Sequence, residues 1–251
     1  MKAEKVLSAE EIYYQLYPEE EDDREGMRHA ELINYLIDVL RWYYRFEQII
    51  ITDDLPITRG KIQAAADISV VKGITLTEEE IDELDSWDLY QPDRPSPVVA
   101  FEISSKNTWT IDVYADERDK PVRYGQLGVK EYYAYDPVGH WRGSKVKLRA
   151  WRYENGQAIE RVPDELGRFW SEELNSYLVP DGSWLRLTDH QGNRRSTGTE
   201  AQERRANIQE RRAETERQRA EIERQRAEKL EAEYQALLEK LKAHNIDPDK
   251  L

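Results

Sequence analysis

The sequence predicts a mixed α/β (α+β) domain followed by a long charged helix, and three observations carry that prediction. Short β-branched runs alternate with amphipathic helical spacing over the first four fifths of the chain. Nearly all the Trp, Phe and Pro, and most of the Val, lie before about Thr199. The last fifth is dominated by Glu, Arg, Ala, Gln and Leu, without Gly or Pro from Thr199 to about Ala243. The 251 residues are therefore divided into a globular domain, 1–198, and a charged helix with its tail, 199–251.

The elements follow in order. "EEEDDREG" (Glu19 to Gly26) reads as a solvated loop or as the flank of the next helix, where acidic groups suit the dipole. "HAELINYLIDVLRWYYRF" sets Leu32, Ile33, Leu36, Ile37 and Leu40 on one helical face. "EQIIITDDLPI" is a strand with an Asp-Asp and Pro exit, and "ADISVVKG" is a second strand closed by Gly73. "LTEEEIDELDSWDLYQPDRPSP" is polar, with turn residues and one short helix.

"VVAFEISSKN" is a strand on which Val98, Ala100, Glu102, Ser104 and Lys106 share one face, with Val99, Phe101, Ile103 and Ser105 on the other. In "DERDKPVRYGQLG", Asp116, Lys120, Tyr124 and Leu127 fall on one helical stripe. Pro121 is comfortable only in a first turn, so the regular helix begins near Lys120 and Asp116 lies in an irregular lead-in. Gly128 suits a left-handed C-terminal cap, and "VKEYYAYDP" resumes as a strand. "KVKLRAWRYENGQAIERV" and "YLVPDGSWLRLTDHQGNR" are hairpins, with Asn155-Gly156 the strongest turn signal.

In the C-terminal helix, Glu precedes Arg by three at Glu214–Arg217, Glu216–Arg219, Glu221–Arg224 and Glu223–Arg226. Ala206, Ala213, Ala220, Ala227, Tyr234 and Leu241 recur every seven residues, but an apolar seam forms only in the last two heptads. A solvated charged helix with a short sticky end is the plain reading. A short coiled coil joining two copies is its rival.

Composition excludes several classes of function. Without Cys there are no disulfides, thiolate nucleophiles or Cys-held zinc. A net charge of −14 argues against a general polyanion-coating protein, although a metal site needs clustered acids and a nucleic-acid face need be positive only locally. No run approaches the ~20 apolar residues of a membrane span, and the first residues lack a signal-peptide core. Cytoplasmic location without membrane attachment is the expectation.

Two acids sit in apolar strand sequence, Asp67 in "ADISVV" and Glu102 in "VVAFEISS". A buried unpaired carboxylate costs several kcal/mol, on the order of the general desolvation penalty. If the two strands are neighbours, both acids can hold a hard cation such as Mg²⁺, with a backbone carbonyl and waters completing the shell. That cation would bind a phosphate oxygen and lower the pKa of an attacking water. The competing reading pairs each acid with a basic residue at a strand end, and chemistry alone leaves both open.

"ADISVVKG", "PSPVVAFEISSKNTW", "DERDKPVRYGQLGVKEYYAYDP" and "EGMRHAELINYL" together resemble the restriction-endonuclease family abundant in cyanobacteria, a branch of the PD-(D/E)XK nuclease superfamily. The resemblance covers most of Arg24 to about Asn193, and the tail "NIDPDKL" is similar too. It implies a restriction-endonuclease-like core with flanking helices. The implied activity is Mg²⁺-dependent cleavage of DNA, with Mn²⁺ as a substitute metal.

By the resemblance, Asp67 and Glu102 are the two metal-binding acids, joined by the Ile103 carbonyl. The Pro expected before the first acid is Ala66 here. The Lys expected two residues after the second acid is Ser104. Lys106 shares the face but lies about 13 Å along the strand at roughly 3.3 Å per residue. The family's lysine migrates to the following helix in a pattern that Asp116, Lys120 and Tyr124 match, so Lys120 becomes the catalytic lysine, with Ser104, Tyr124 and Asp116 in support. His29 matches an early helix histidine, and Glu25 and Glu31 are both candidates for a helix-borne acid.

The plain alternatives are a surface Lys120 paired with Asp116, a packing Tyr124, a Ser104 that only hydrogen-bonds nearby, and a half-buried helical His29. At the level of the whole protein, the rival is a nuclease-fold interaction protein that cleaves nothing and assembles through its C-terminal helix. A nuclease acting on RNA or branched DNA is a third reading.

Overall fold

A computed structural model describes residues 18–106, 108–114, 116, 119–141 and 146–243, with side chains from 26 onward except at 242. The chain divides into two compact units, 1–198 and 199–251. The first contains a six-stranded sheet built from β1 (Ile49–Thr52), β4 (Ile68–Lys72), β6 (Val99–Ile103), β7 (Glu131–Tyr135), β8 (Leu148–Glu154) and β9 (Gln157–Glu160), in that spatial order. Only β6 and β7 run parallel among these neighbours.

A parallel pair needs a crossover. Here it consists of two short helices, α3 (Trp109–Val113) and α4 (Lys120–Gln126), while α1 (Pro18–Tyr44) and α2 (Glu78–Asp82) precede β6. The strands β6 and β7 are buried along their whole length on both faces. That explains why they read as continuous apolar runs rather than alternating ones.

The two faces carry separate cores. On one, Leu32, Leu36, Val39 and Leu40 of α1 pack on Val99, Phe101 and Ile103, together with Leu178, Leu185 and Leu187 of a three-stranded sheet of β10 (Phe169–Ser171), β11 (Ser176–Asp181) and β12 (Trp184–Thr188). On the other, Ala100, Tyr132, Ala134 and Trp151 meet Tyr124 and Leu127 of α4. Ile57, Ala64 and Trp87 join them from a second small sheet, β2 (Pro56–Arg59), β3 (Ile62–Ala65) and β5 (Trp87–Asp88).

One pair of alternatives is decided, one local expectation needs correction, and some elements had no expectation. The acidic stretch from Glu19 lies inside α1, which starts at Pro18. Of the two readings of that stretch, loop or helix flank, the helical one therefore holds, in keeping with the dipole's preference for acidic residues near a helix start. Asp67 precedes β4 instead of lying on it. The β2–β3 hairpin and β10 had no expectation of their own, because their strands are three or four residues long with little apolar alternation.

Other signals correspond closely. Asn155 and Gly156 both take positive φ, 51° and 79°, as a two-residue hairpin turn requires. Lys120 is the first residue of α4, with Pro121 in its first turn. At the other end Gly128 has φ 79°, Val129 N–H bonds the Tyr124 carbonyl (3.0 Å), and Gly128 N–H bonds the Gly125 carbonyl (3.1 Å). These are the two hydrogen bonds of a Schellman cap.

The second unit is helical: α5 (Gly198–Ala243) is exposed over nearly all its described length, with Ile208, Ile222, Leu230, Tyr234 and Leu237 among its open apolar side chains. No helix among the described residues is long and apolar enough to cross a membrane.

Candidate active site

The β4–β6 pairing sets the first contact. Ile68 lies opposite Phe101 in antiparallel register, so one step outward brings Asp67 opposite Glu102. Asp67 Oδ2 accepts the Ile103 N–H at 2.6 Å. Beside it, His29 of α1 donates Nε2 to the Ile103 carbonyl (2.8 Å) and lies 3.6 Å from Asp67 Oδ2. The neighbouring Asp67 carboxylate raises the His29 pKa, with burial opposing it.

Glu102 is 2% exposed and has two partners. Lys120 Nζ stands 2.5 Å from Oε2, and the Tyr124 hydroxyl donates to Oε1 at 2.5 Å. Tyr124 also contacts the Ala65 carbonyl (3.1 Å), which ties α4 to β3. Lys120 and Tyr124 reach one carboxylate because they are four residues apart on α4 and so share its inner face.

A residue that sequence reasoning missed completes the cluster. Asp112 of α3 is fully buried, and its Oδ1 lies 3.3 Å from Lys120 Nζ. Its Oδ2 accepts hydrogen bonds from Ser104 (3.0 Å) and Thr108 (3.1 Å), and Trp141 Nε1 donates to the Ser104 hydroxyl at 3.3 Å. Ser104 therefore serves Asp112 rather than Glu102.

Asp116 is not part of this group. It is exposed, and its N–H bonds Asp119 Oδ2 at 2.9 Å in the lead-in to α4. The acid that pairs with Lys120 from the preceding segment is Asp112, because α3 turns the chain inward four residues earlier. Glu31 is exposed on α1, and the side chain of Glu25 lies outside the described residues.

Electrostatics follow from burial and crowding. Desolvation pushes Glu102 well above the usual carboxylate range; Lys120 opposes this, while Asp67 and Asp112 add to it. Asp112 is raised by burial as well, against Lys120 and its hydroxyl donors. Burial acts to lower Lys120, but the Glu102 and Asp112 carboxylates more than offset it, so the amine stays protonated above its ordinary range. Burial also lifts Tyr124 far above the phenol range. Three acids thus crowd around one ammonium in a poorly solvated place.

That crowding of acids, and the donors themselves, suit a hard divalent cation. Asp67, Glu102 and the Ile103 carbonyl offer oxygen only, the ligand type of Mg²⁺. No three His, Asp or Glu side chains among the described residues are grouped to hold a metal by themselves. A cation here would therefore keep several waters, as Mg²⁺ commonly does.

No protein-family model matches the chain, and no curated protein matches it. Among solved structures it is similar to one described as a "putative nuclease belonging to DUF820" from Anabaena variabilis ATCC 29413, at 18% identity, with 62% of this chain and 73% of that chain covered. The TM-score is 0.39, a likeness too slight to carry a conclusion.

The sequence-predicted residues divide accordingly. Asp67, Glu102, Ile103, Lys120, Tyr124, Ser104 and His29 meet in one cluster, and Asp116 stands outside it. Each acid also has the basic neighbour that the plainer reading required, Lys120 for Glu102 and His29 for Asp67.

Proposed function

We propose that the chain is a Mg²⁺-dependent endonuclease that hydrolyses phosphodiester bonds of DNA through a restriction-endonuclease-like core, with Mn²⁺ able to substitute. The observation that carries the reading is the contact of Lys120 Nζ with Glu102 Oε2. A lysine missing from its usual place on the strand, where Ser104 stands, reaches the same acid from the next helix.

Asp67, Glu102 and the Ile103 carbonyl would hold the cation, which when bound polarises a phosphate oxygen and lowers the pKa of water. The remaining work falls to side chains. Lys120, held protonated by Glu102 and Asp112, is a poor base near neutral pH and acts by fixed positive charge, orienting water and stabilising the charge of the transition state. Asp112 positions Lys120, Ser104 and Thr108 hold Asp112, Tyr124 fixes one oxygen of Glu102, and His29 steadies Asp67 and the Ile103 carbonyl. A cytoplasmic dimer acting on DNA belongs to the same proposal.

Nicking of supercoiled plasmid with Mg²⁺, Mn²⁺ or EDTA tests it, using folded Asp67→Asn, Glu102→Gln and Lys120→Ala proteins. Cleavage should need metal and disappear in all three variants. Full metal-dependent cleavage by all three would overturn the assignment.

A second reading, a nuclease-fold protein that cleaves nothing and assembles through α5, is favoured by one observation. Both oxygens of Glu102 already have partners, Lys120 and Tyr124. Calorimetric titration separates the two: Mg²⁺ binding that depends on Asp67 supports the nuclease, and no binding supports the silent protein.

A further inference from the structure

We infer that the aromatic cavity beside the carboxylate cluster is a subsite for an unpaired nucleobase of the nucleic-acid substrate, an inference that rests on the nuclease reading. The cavity, of about 320 Å³, is lined by Trp109, Tyr114 and Trp141, with the Arg149–Glu160 pair on its polar side. That volume falls at the small end of ligand pockets.

Position is the first argument. Trp109 lies on α3, the helix that carries Asp112. Trp141 donates to Ser104, Ser104 to Asp112, and Asp112 pairs with Lys120. The cavity wall is thus three contacts from the amine that would face a phosphate. On this inference the base of a nucleotide bound at that amine lies in this cavity.

The lining is the second argument. Tyr114 is 52% exposed, and its ring meets that of Trp109 at 6.1 Å and 53°, so neither ring lies flat over the other. Open aromatic faces beside a phosphate-binding place suit stacking, which accepts any base. Arg149 grips Glu160 through two hydrogen bonds of 2.7 Å. The pair puts donors and acceptors on one wall, suited to the polar edge of a base and unsuited to a purely apolar ligand. Bases within a duplex have both faces covered by their neighbours, so the occupant is an unpaired one, in a bulge, a loop or a single strand.

Fluorescence anisotropy in EDTA, where cleavage is suspended, provides the test. Three labelled DNA duplexes are compared: fully paired, with one bulged adenine, and with an abasic bulge in its place. The full chain should bind the adenine bulge about tenfold tighter than either other probe, the scale of one stacked base. Tyr114→Ala and Trp109→Ala should bind all three alike; the first, at an exposed position, guards against misfolding of the second. Equal affinity of the unmodified protein for the three probes, or a preference surviving in both variants, overturns the subsite. Plasmid cleavage run in parallel keeps the two readings apart. Metal-dependent cleavage without base preference overturns the subsite alone, whereas base preference without cleavage supports base binding and overturns the nuclease.

Discussion

Glu102 and Glu131 are both buried glutamates on the adjacent parallel strands β6 and β7, and they have opposite kinds of surroundings. Glu131 accepts from the Tyr133 hydroxyl (3.0 Å), the Ser171 hydroxyl and the Glu172 N–H (3.0 Å). Burial raises its pKa, and those donors and the nearby Arg161 oppose the rise. Neutral donors from β10 and the turn after it surround that carboxylate, which makes it a joint between the main sheet and the β10–β12 sheet. Glu102 instead has an ammonium, a phenol and the fields of two further acids. Burial alone does not distinguish the two acids; the ionic or neutral character of their partners does.

The contrast can be broken first at Glu102. Glu102→Gln keeps an acceptor for Tyr124 but removes the charge, so the plasmid-nicking rate should fall by on the order of a thousandfold while the thermal melt changes little. Glu131→Ala should behave inversely. It strips three donors of their acceptor at a cost of about 3 kcal/mol, read as a lower midpoint in urea, with cleavage retained where the protein stays folded.

Gly125→Ala tests whether the helix must lie close to the sheet. An added Cβ would meet Tyr153 Cδ1 at 2.7 Å and the Gly156 carbonyl at 2.8 Å. Moving α4 away should cost about 2 kcal/mol and slow nicking, because Lys120 and Tyr124 move with it.

The smallest effect is expected at His29. A base with a raised pKa stabilises the fold when protonated, fully below its unfolded value of about 6.5, and that contribution is lost as pH rises through the folded value. The stability gap between the unmodified protein and His29→Gln should therefore be larger near pH 5.5 than near pH 9, as urea titrations at both would show.

The same contrast explains what was legible in the sequence. Glu102 stood out because it interrupts an apolar run, whereas Glu131 sits at the first residue of β7, next to Lys130, where an acid looks like a strand-end surface residue. Lys120 was singled out by the resemblance, whose pattern Asp116, Lys120 and Tyr124 match, and Pro121 placed it at the start of its helix. Asp112 was not, because α3 has only five residues, too few to display a helical period, and a mixed polar and apolar run of that length reads as a loop. The β2–β3 hairpin escaped for a similar reason: its turn, Gly60 with Lys61, joins strands with little alternation.

That overlooked hairpin holds the helix that carries Lys120 in an instructive way. Arg59 donates to the Gln126 carbonyl and Arg123 to the Gln63 carbonyl, at 3.0 and 3.2 Å, and the Tyr124 hydroxyl lies 3.1 Å from the Ala65 carbonyl. Every acceptor is main chain. The side chains of Gln63, Ala65 and Gln126 can therefore be exchanged without altering the acceptors, so the outer surface over α4 is free to diversify while the spacing of Lys120 from Glu102 stays fixed.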